Sequence, residues 1–139
     1  MHSISSDGPV LIVIEGLLCY LPGDKVIKLL KSLCQNFRVG EILFECITPT
    51  ALRALNRRKP IESIIDLGVE FYWAVDHPET LEHIDPALNL VESVRLAEAP
   101  GVEKAPLGYR ALMYVLSWTP KSRDSARFLR FRFGDLREL

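Results

Sequence analysis

Apolar and polar positions fall into blocks along this chain. Val10 to Ile14 is an unbroken aliphatic run, Val-Leu-Ile-Val-Ile, too short and too uniformly apolar for an amphipathic helix. It predicts a strand buried on both faces, of the kind found mid-way across a parallel sheet covered by helices. Glu15 and Gly16 follow at once, and Gly16 to Leu21 predicts a short helical turn or tight loop over the strand ends. Beyond Pro22 and Asp24, Val26, Ile27, Leu29, Leu30, Leu33, Cys34 and Phe37 recur at three- and four-residue spacing. Lys25, Lys28, Lys31, Ser32 and Gln35 fill the gaps, so this is an amphipathic helix with one covered side. Arg38-Val39-Gly40 ends it, and Glu41 to Ile47 predicts a second strand. Val10 to Ile47 is therefore a β–α–β unit with a right-handed crossover.

Thr48-Pro49, a hydroxyl cap followed by proline, predicts a short helix through Arg57. Pro60 to Gly68 reads as a connection and Phe71 to Val75 as an aromatic stretch. Asp76-His77-Pro78-Glu79 has the spacing of a capping box and leads into a helix ending near Ile84. Leu88 to Leu96 predicts a third strand, Ala97 to Leu107 a loop, and Gly108 to Ser117 a helix. In Arg127 to Phe133, Leu129, Phe131 and Phe133 alternate with Arg130 and Arg132. That period of two predicts an antiparallel strand with one polar face, closing the sheet against Leu88–Leu96.

At 139 residues and 48% apolar, the chain is one domain or a large piece of one. The division expected is a disordered lead-in over residues 1–8 and a partial domain over residues 9–139. A formal net charge of −1 argues against a dedicated nucleic-acid or membrane-surface protein. Glu15 interrupts the longest apolar run well short of the roughly 18 residues of a membrane helix. The first eight residues lack the basic start of a secretion signal. Cys19, Cys34 and Cys46 have neither disulfide nor zinc spacing and read as buried free thiols. The expectation is a soluble, cytoplasmic protein.

Chemistry-bearing motifs are sparse. No Gly-x-Gly, nucleophile elbow, phosphate-binding Gly-Lys-Ser/Thr loop or His-Glu-x-x-His occurs. His77 and His83 stand six residues apart, which does not bring two imidazoles onto one helix face. The cluster Arg53, Arg57, Arg58 and Lys59 reads as cations at the negative pole of a helix. The arginines of the last strand read as its solvated face, a polyanion surface being the weaker reading. Glu15 is the sharpest candidate: a carboxylate at the carboxyl end of a parallel strand sits where open α/β sheets bind ligands. Tyr20 lies within reach of the same crevice, with core packing an equal alternative. Trp73 reads as a packing aromatic or a substrate wall.

Glu15-Gly16-Leu17-Leu18-Cys19-Tyr20-Leu21-Pro22, preceded by the aliphatic strand and followed by Val26-x-x-Leu29-Leu30, resembles the fourth-strand motif of one methyltransferase family. That is the leucine carboxyl methyltransferase family, including the tetracenomycin-type polyketide O-methyltransferases. The Phe-Tyr-Trp segment, the Asp76-His77-Pro78-Glu79 helix start and the Leu88–Leu96 strand fit its C-terminal half in order. Only the Glu15–Pro22 block is specific.

The resemblance implies an α/β fold: the C-terminal half of a class I, Rossmann-like sheet in the order 4-5-7-6, the last strand antiparallel and helices on both faces. Strands one to three, with the glycine-rich turn and the acidic residue that grips the cofactor ribose, are not in this sequence. It further implies S-adenosyl-L-methionine as cofactor, with Glu15 and Gly16 as its contacts and Tyr20 and Trp73 toward the substrate; no metal is expected. The function it implies is O-methyl transfer to a carboxyl or hydroxyl acceptor, on a small molecule or a protein carboxylate. The chain is expected to be an N-terminally truncated form with weak or no activity alone. The alternative is a non-catalytic module that pairs, as a homodimer or with a complementing chain, through its open edge strand. Neither nucleic acid nor membrane is expected as a partner.

Overall fold

A computed structural model describes residues 8–57, 70–99, 104 and 125–135. Four strands form one sheet: β1 (Val10–Ile14), β2 (Gly40–Ile47), β3 (Asn89–Arg95) and β4 (Ala126–Phe133), in the order β1-β2-β4-β3. β1 runs parallel to β2 through the crossover helix α1 (Gly23–Asn36), and β4 is antiparallel to both of its neighbours. A second helix, α2 (Pro49–Arg57), follows β2. This is the α/β arrangement that the resemblance implied, with the last strand inserted before the third.

Local sequence explains each element. Pro22 caps α1 with extended backbone, and Asp24 in the first turn complements the positive end of the helix dipole. Val26 and Leu30, one turn apart, are fully buried, while Leu29, Leu33, Cys34 and Phe37 flank them. Ile27 lies off that stripe and is exposed, although its spacing had suggested the covered side. In β2 and β4 the alternation is strict. Ile42, Phe44 and Cys46 point into the core with Leu129, Phe131 and Phe133. Phe44 stacks on Phe131 with ring planes 3° apart and centroids 5.7 Å apart. Gly40 sits where a Cβ would collide with the Val10 carbonyl across the strand pair and press on the Phe133 ring.

The opposite face of β2, β4 and β3 is a charge ladder. Arg132 donates to one Glu41 carboxylate oxygen from two nitrogens, at 2.8 and 3.2 Å. Arg130 lies 3.3 Å from Glu92 and 3.7 Å from Glu41. Such half-exposed cross-strand pairs contribute roughly 0.2–1 kcal/mol each. Arg130 and Arg132 of β4 are thus engaged by carboxylates of its neighbouring strands.

Two expectations are corrected. β1 is an edge strand covered on one face: Ile14 is buried, but Leu11 and Val13 are 67% and 63% exposed. Only β2 pairs with it among the described residues, so the aliphatic pattern of a two-faced strand meets one covering layer. The segment Pro78–Ile84 is a 3₁₀ helix, and the capping box does not form. Pro78 takes the first helical position, which moves the cap to His77 and puts Asp76 one residue outside. The Thr80 hydroxyl donates to the His77 carbonyl at 2.6 Å, and the Glu82 carboxylate accepts the Leu90 N–H at 2.7 Å. Thr48 does cap α2, its hydroxyl oxygen accepting the Ala51 N–H at 3.2 Å. The helix expected over Gly108–Ser117 and the connection over Pro60–Gly68 lie outside the described residues.

Because β1 and β2 approach closest at Gly40, Gly40→Ala lowers unfolding stability by about 1–3 kcal/mol, the range for overpacking a filled site. Urea titration followed by circular dichroism measures it; an unchanged midpoint contradicts this packing.

Candidate functional site

The strand-end site begins where β1 stops. Gly16 has φ +61°, the left-handed region that costs a residue with a side chain roughly 1–2 kcal/mol. An added Cβ there meets nothing within 4 Å, so the backbone conformation and not crowding demands glycine. The turn aims the Gly16 N–H at a carboxylate oxygen of Glu45 on β2. A 3₁₀ turn, Leu18–Tyr20, follows; Leu18 anchors it in the core and Tyr20 is 40% exposed. Glu15 is exposed, and among the described residues its carboxylate makes no hydrogen bond or ion pair.

A second layer crosses the carboxyl ends of β1 and β2. Residues 70–75 run outside any helix or strand, yet their backbone is fastened at several points. The Tyr72 and Trp73 N–H groups both donate to the Cys19 carbonyl, at 2.8 and 3.3 Å. The Val75 N–H donates to the Ile47 carbonyl at the end of β2, at 2.8 Å. Asn56, on α2, bonds both backbone groups of Phe71: its amide donates to the Phe71 carbonyl at 2.8 Å and its oxygen accepts the Phe71 N–H at 3.1 Å. Phe71 stacks on Tyr20 with centroids 5.1 Å apart. Trp73 is 7% exposed and packs against Phe44 at 6.2 Å.

Glu15, Gly16, Tyr20 and Trp73 therefore all belong to this end of the sheet. Glu15 and Tyr20 are open to solvent, whereas Trp73 is built into the core behind them. Glu45, Asn56 and Phe71 were not singled out from the sequence. The Asn56–Phe71 pairing spans fifteen residues with no local signal.

No family model matches the chain. It is 34% identical over 97 residues to the S-adenosyl-L-methionine-dependent methyltransferase dpfgK of Gibberella zeae, covering 66% of this chain and 32% of that protein. It is 26% identical over 140 aligned positions to the tetracenomycin polyketide synthesis O-methyltransferase TcmP of Streptomyces glaucescens, covering 96% of this chain and 48% of that protein. Both relatives are methyltransferases, the first of them S-adenosyl-L-methionine-dependent. The chain spans at most about half the length of the curated relatives it matches. The crystal structure of a DUF574 family protein from Streptomyces avermitilis superposes with a TM-score of 0.57 at 12% identity, over 96% of this chain and 47% of that one. That superposition supports the fold.

The remaining candidates carry less chemistry. His77 is exposed between Asp76 at 3.7 Å and Glu79 at 3.3 Å, and the His83 ring lies against the Thr80 carbonyl at 3.1 Å. Among the described residues no group of three or more histidine, cysteine or acidic side chains can hold a metal ion. No described helix is long and apolar enough to cross a membrane. Arg53 and Arg57 are exposed on α2; Arg58 and Lys59 lie outside the described residues.

All three cysteines are free; Cys46 is buried, whereas Cys19 and Cys34 are only half-buried, a correction to the expectation of three buried thiols. Burial, reinforced by Asp85, pushes the Cys34 thiol up to about 11. Burial also pushes Cys46 up to about 11, with Arg127 opposing and Glu45 assisting. Cys19 is raised by burial and then by Glu45. Thiols whose pKa is raised by folding from 9.0 contribute stability that is complete below pH 9.0 and lost as pH climbs toward about 11. Alkylation of Cys34 and Cys46 by iodoacetamide in the native protein is accordingly slow at neutral pH and accelerates with pH above 9.0. Mass spectrometry of timed samples reads it; fast labelling of Cys46 at neutral pH contradicts this environment.

Proposed function

We propose that this chain supplies the carboxyl-side part of an S-adenosyl-L-methionine-dependent O-methyltransferase site, with Glu15 and Gly16 at the cofactor and Tyr20 and Trp73 on the acceptor side. One observation carries the reading: an exposed carboxylate, unpartnered among the described residues, and a left-handed glycine stand together at the carboxyl end of a parallel strand. Similarity to an S-adenosyl-L-methionine-dependent methyltransferase and to an O-methyltransferase, and the resemblance of Glu15–Pro22 to the motif of the leucine carboxyl and tetracenomycin-type family, support it. When bound, the cofactor supplies an electrophilic methyl group on a sulfonium. Glu15 is suited to hold a cationic group of the cofactor, and the Gly16 turn lets a ligand approach the backbone closely. Tyr20, with Trp73 behind it, shields the acceptor side from water, so positioning and exclusion provide the acceleration. The acceptor is a carboxylate or a hydroxyl; only the hydroxyl requires a proton to be removed. Three free thiols fit a cytoplasmic setting.

Glu15 and the Gly16 turn by themselves suit weak affinity for the cofactor. Titration with S-adenosyl-L-methionine, followed by amide NMR, shifts the Glu15, Gly16 and Leu17 resonances. Glu15→Gln weakens that binding about tenfold, the loss of one charge-assisted hydrogen bond. Absence of any shift at Glu15 and Gly16 overturns the reading.

A second reading is favoured by the open edge of β1, where Leu11 and Val13 are exposed beside a row of backbone groups without a strand partner among the described residues. In that reading β1 pairs with another chain, either a second copy or a complementing half-sheet. Light scattering at tens of micromolar, alone and with Val13→Lys, decides between a copy and none: self-pairing gives a dimer that the lysine abolishes. A monomer under both conditions removes the homodimer.

A further inference from the structure

We infer that Glu45 is a positioning residue for the cofactor: by holding the Gly16 N–H across the β1–β2 pair, it fixes the turn from which the Glu15 carboxylate meets a cationic ligand. This rests on the methyltransferase reading above. The Gly16 N–H lies in the peptide plane that begins at the Glu15 Cα, so an acceptor that holds it also sets the backbone of Glu15. Glycine populates either sign of φ, and no atom within 4 Å of a Cβ added at Gly16 confines it to the observed +61°. The hydrogen bond to Glu45 supplies a contact that favours one sign.

The place of Glu45 in the sheet suits this task. β1 pairs with β2 as far as Ile14 opposite Phe44, and β2 runs on through Glu45, Cys46 and Ile47. Where the two strands part, Gly16 meets a side-chain carboxylate in place of a ladder carbonyl. Glu41, on the same face of β2, has Arg132 opposite and bonds it, whereas the residue opposite Glu45 is Phe128, which carries no charge. The Glu45 charge also reaches the next turn, where it adds to burial in raising the Cys19 thiol. A bond from a backbone N–H to a carboxylate is charge-assisted and stronger than its neutral counterpart. Glu15 makes no hydrogen bond of its own among the described residues, so its direction depends on the backbone that Glu45 holds. A cationic ligand then has less ordering left to impose.

The test titrates S-adenosyl-L-methionine into the full chain and into its Glu45→Gln and Glu45→Ala variants, followed by amide NMR. Glutamine keeps an acceptor oxygen, so Glu45→Gln binds within about twofold of the parent, while Glu45→Ala binds roughly fivefold more weakly, the loss of one hydrogen bond. Hydrogen exchange at the Gly16 amide quickens in Glu45→Ala and stays near the parent rate in Glu45→Gln. In a Glu15→Gln background Glu45→Ala weakens binding by less than about twofold, because Glu45 acts through Glu15. Glu41→Gln removes a charge from the same face of β2 and leaves affinity unchanged. If Glu45→Ala does not fold, Glu45→Val, whose side chain suits a strand, takes its place. Parent-like binding or Gly16 exchange in Glu45→Ala, equal weakening in Glu45→Gln and Glu45→Ala, or the full loss persisting in Glu15→Gln each overturns the positioning role. The two failures read differently. No cofactor shift at Glu15 and Gly16 in the parent chain sinks the cofactor reading and this role with it, whereas intact cofactor shifts with an unmoved Glu45→Ala sink this role alone.

Discussion

β2 is hydrogen-bonded along both edges, in parallel to β1 and in antiparallel to β4, and most other placements follow from that double register. It holds Gly40 close enough to the Val10 carbonyl that no side chain fits between. It lines up Ile42, Phe44 and Cys46 with the apolar residues of β4, and it sets the end of β2 level with the turn after β1. Phe44 is the pivot of this arrangement. It stacks on Phe131 within the sheet and meets Trp73 from the segment over the strand ends. The residue that packs the core therefore also fixes the height of the wall behind Tyr20. Core packing and site geometry are one problem in this fold.

The two faces of the sheet are stabilised by different physics. One buries aliphatic and aromatic surface against α1, where each fully covered side chain contributes about 1.5–3 kcal/mol. The other balances arginines against glutamates across β2, β4 and β3, which adds little net stability but fixes register. β1 belongs to neither scheme on its outer face, since Leu11 and Val13 have no covering layer among the described residues and no polar character. A strand of that composition is suited to a neighbour, and the unpaired edge beside it is where backbone groups remain available.

Periodicity made most of the architecture legible. The strict alternation of Arg127–Phe133 named an antiparallel strand, and the spacing from Val26 to Phe37 named the crossover helix. Periodicity was silent about position across the sheet, because Val10–Ile14 has the same pattern at an edge as at the centre. It also misled at Asp76–Glu79, where proline at the first helical position outweighed a capping spacing. At the site, Glu15 was visible because a charge after five aliphatics is conspicuous. Glu45 and Asn56 were not, since each acts on a partner far along the chain, and the sign of φ at Gly16 cannot be inferred from glycine alone.

Methyl transfer asks unusually little of side-chain reactivity. It needs a cation held, an acceptor aligned and water kept away. An anion at a strand end, a backbone turn held by Glu45 and a fastened aromatic segment are parts of that kind. Cys19 lies within this end of the sheet, and burial, assisted by the Glu45 charge, raises the pKa of its thiol. Glu45 thus serves twice, accepting the Gly16 N–H that shapes the turn and helping burial to raise the pKa of the neighbouring thiol. A neutral residue in its place would leave the turn without its carboxylate acceptor and Cys19 easier to ionise, so one carboxylate links the backbone turn to the thiol beside it.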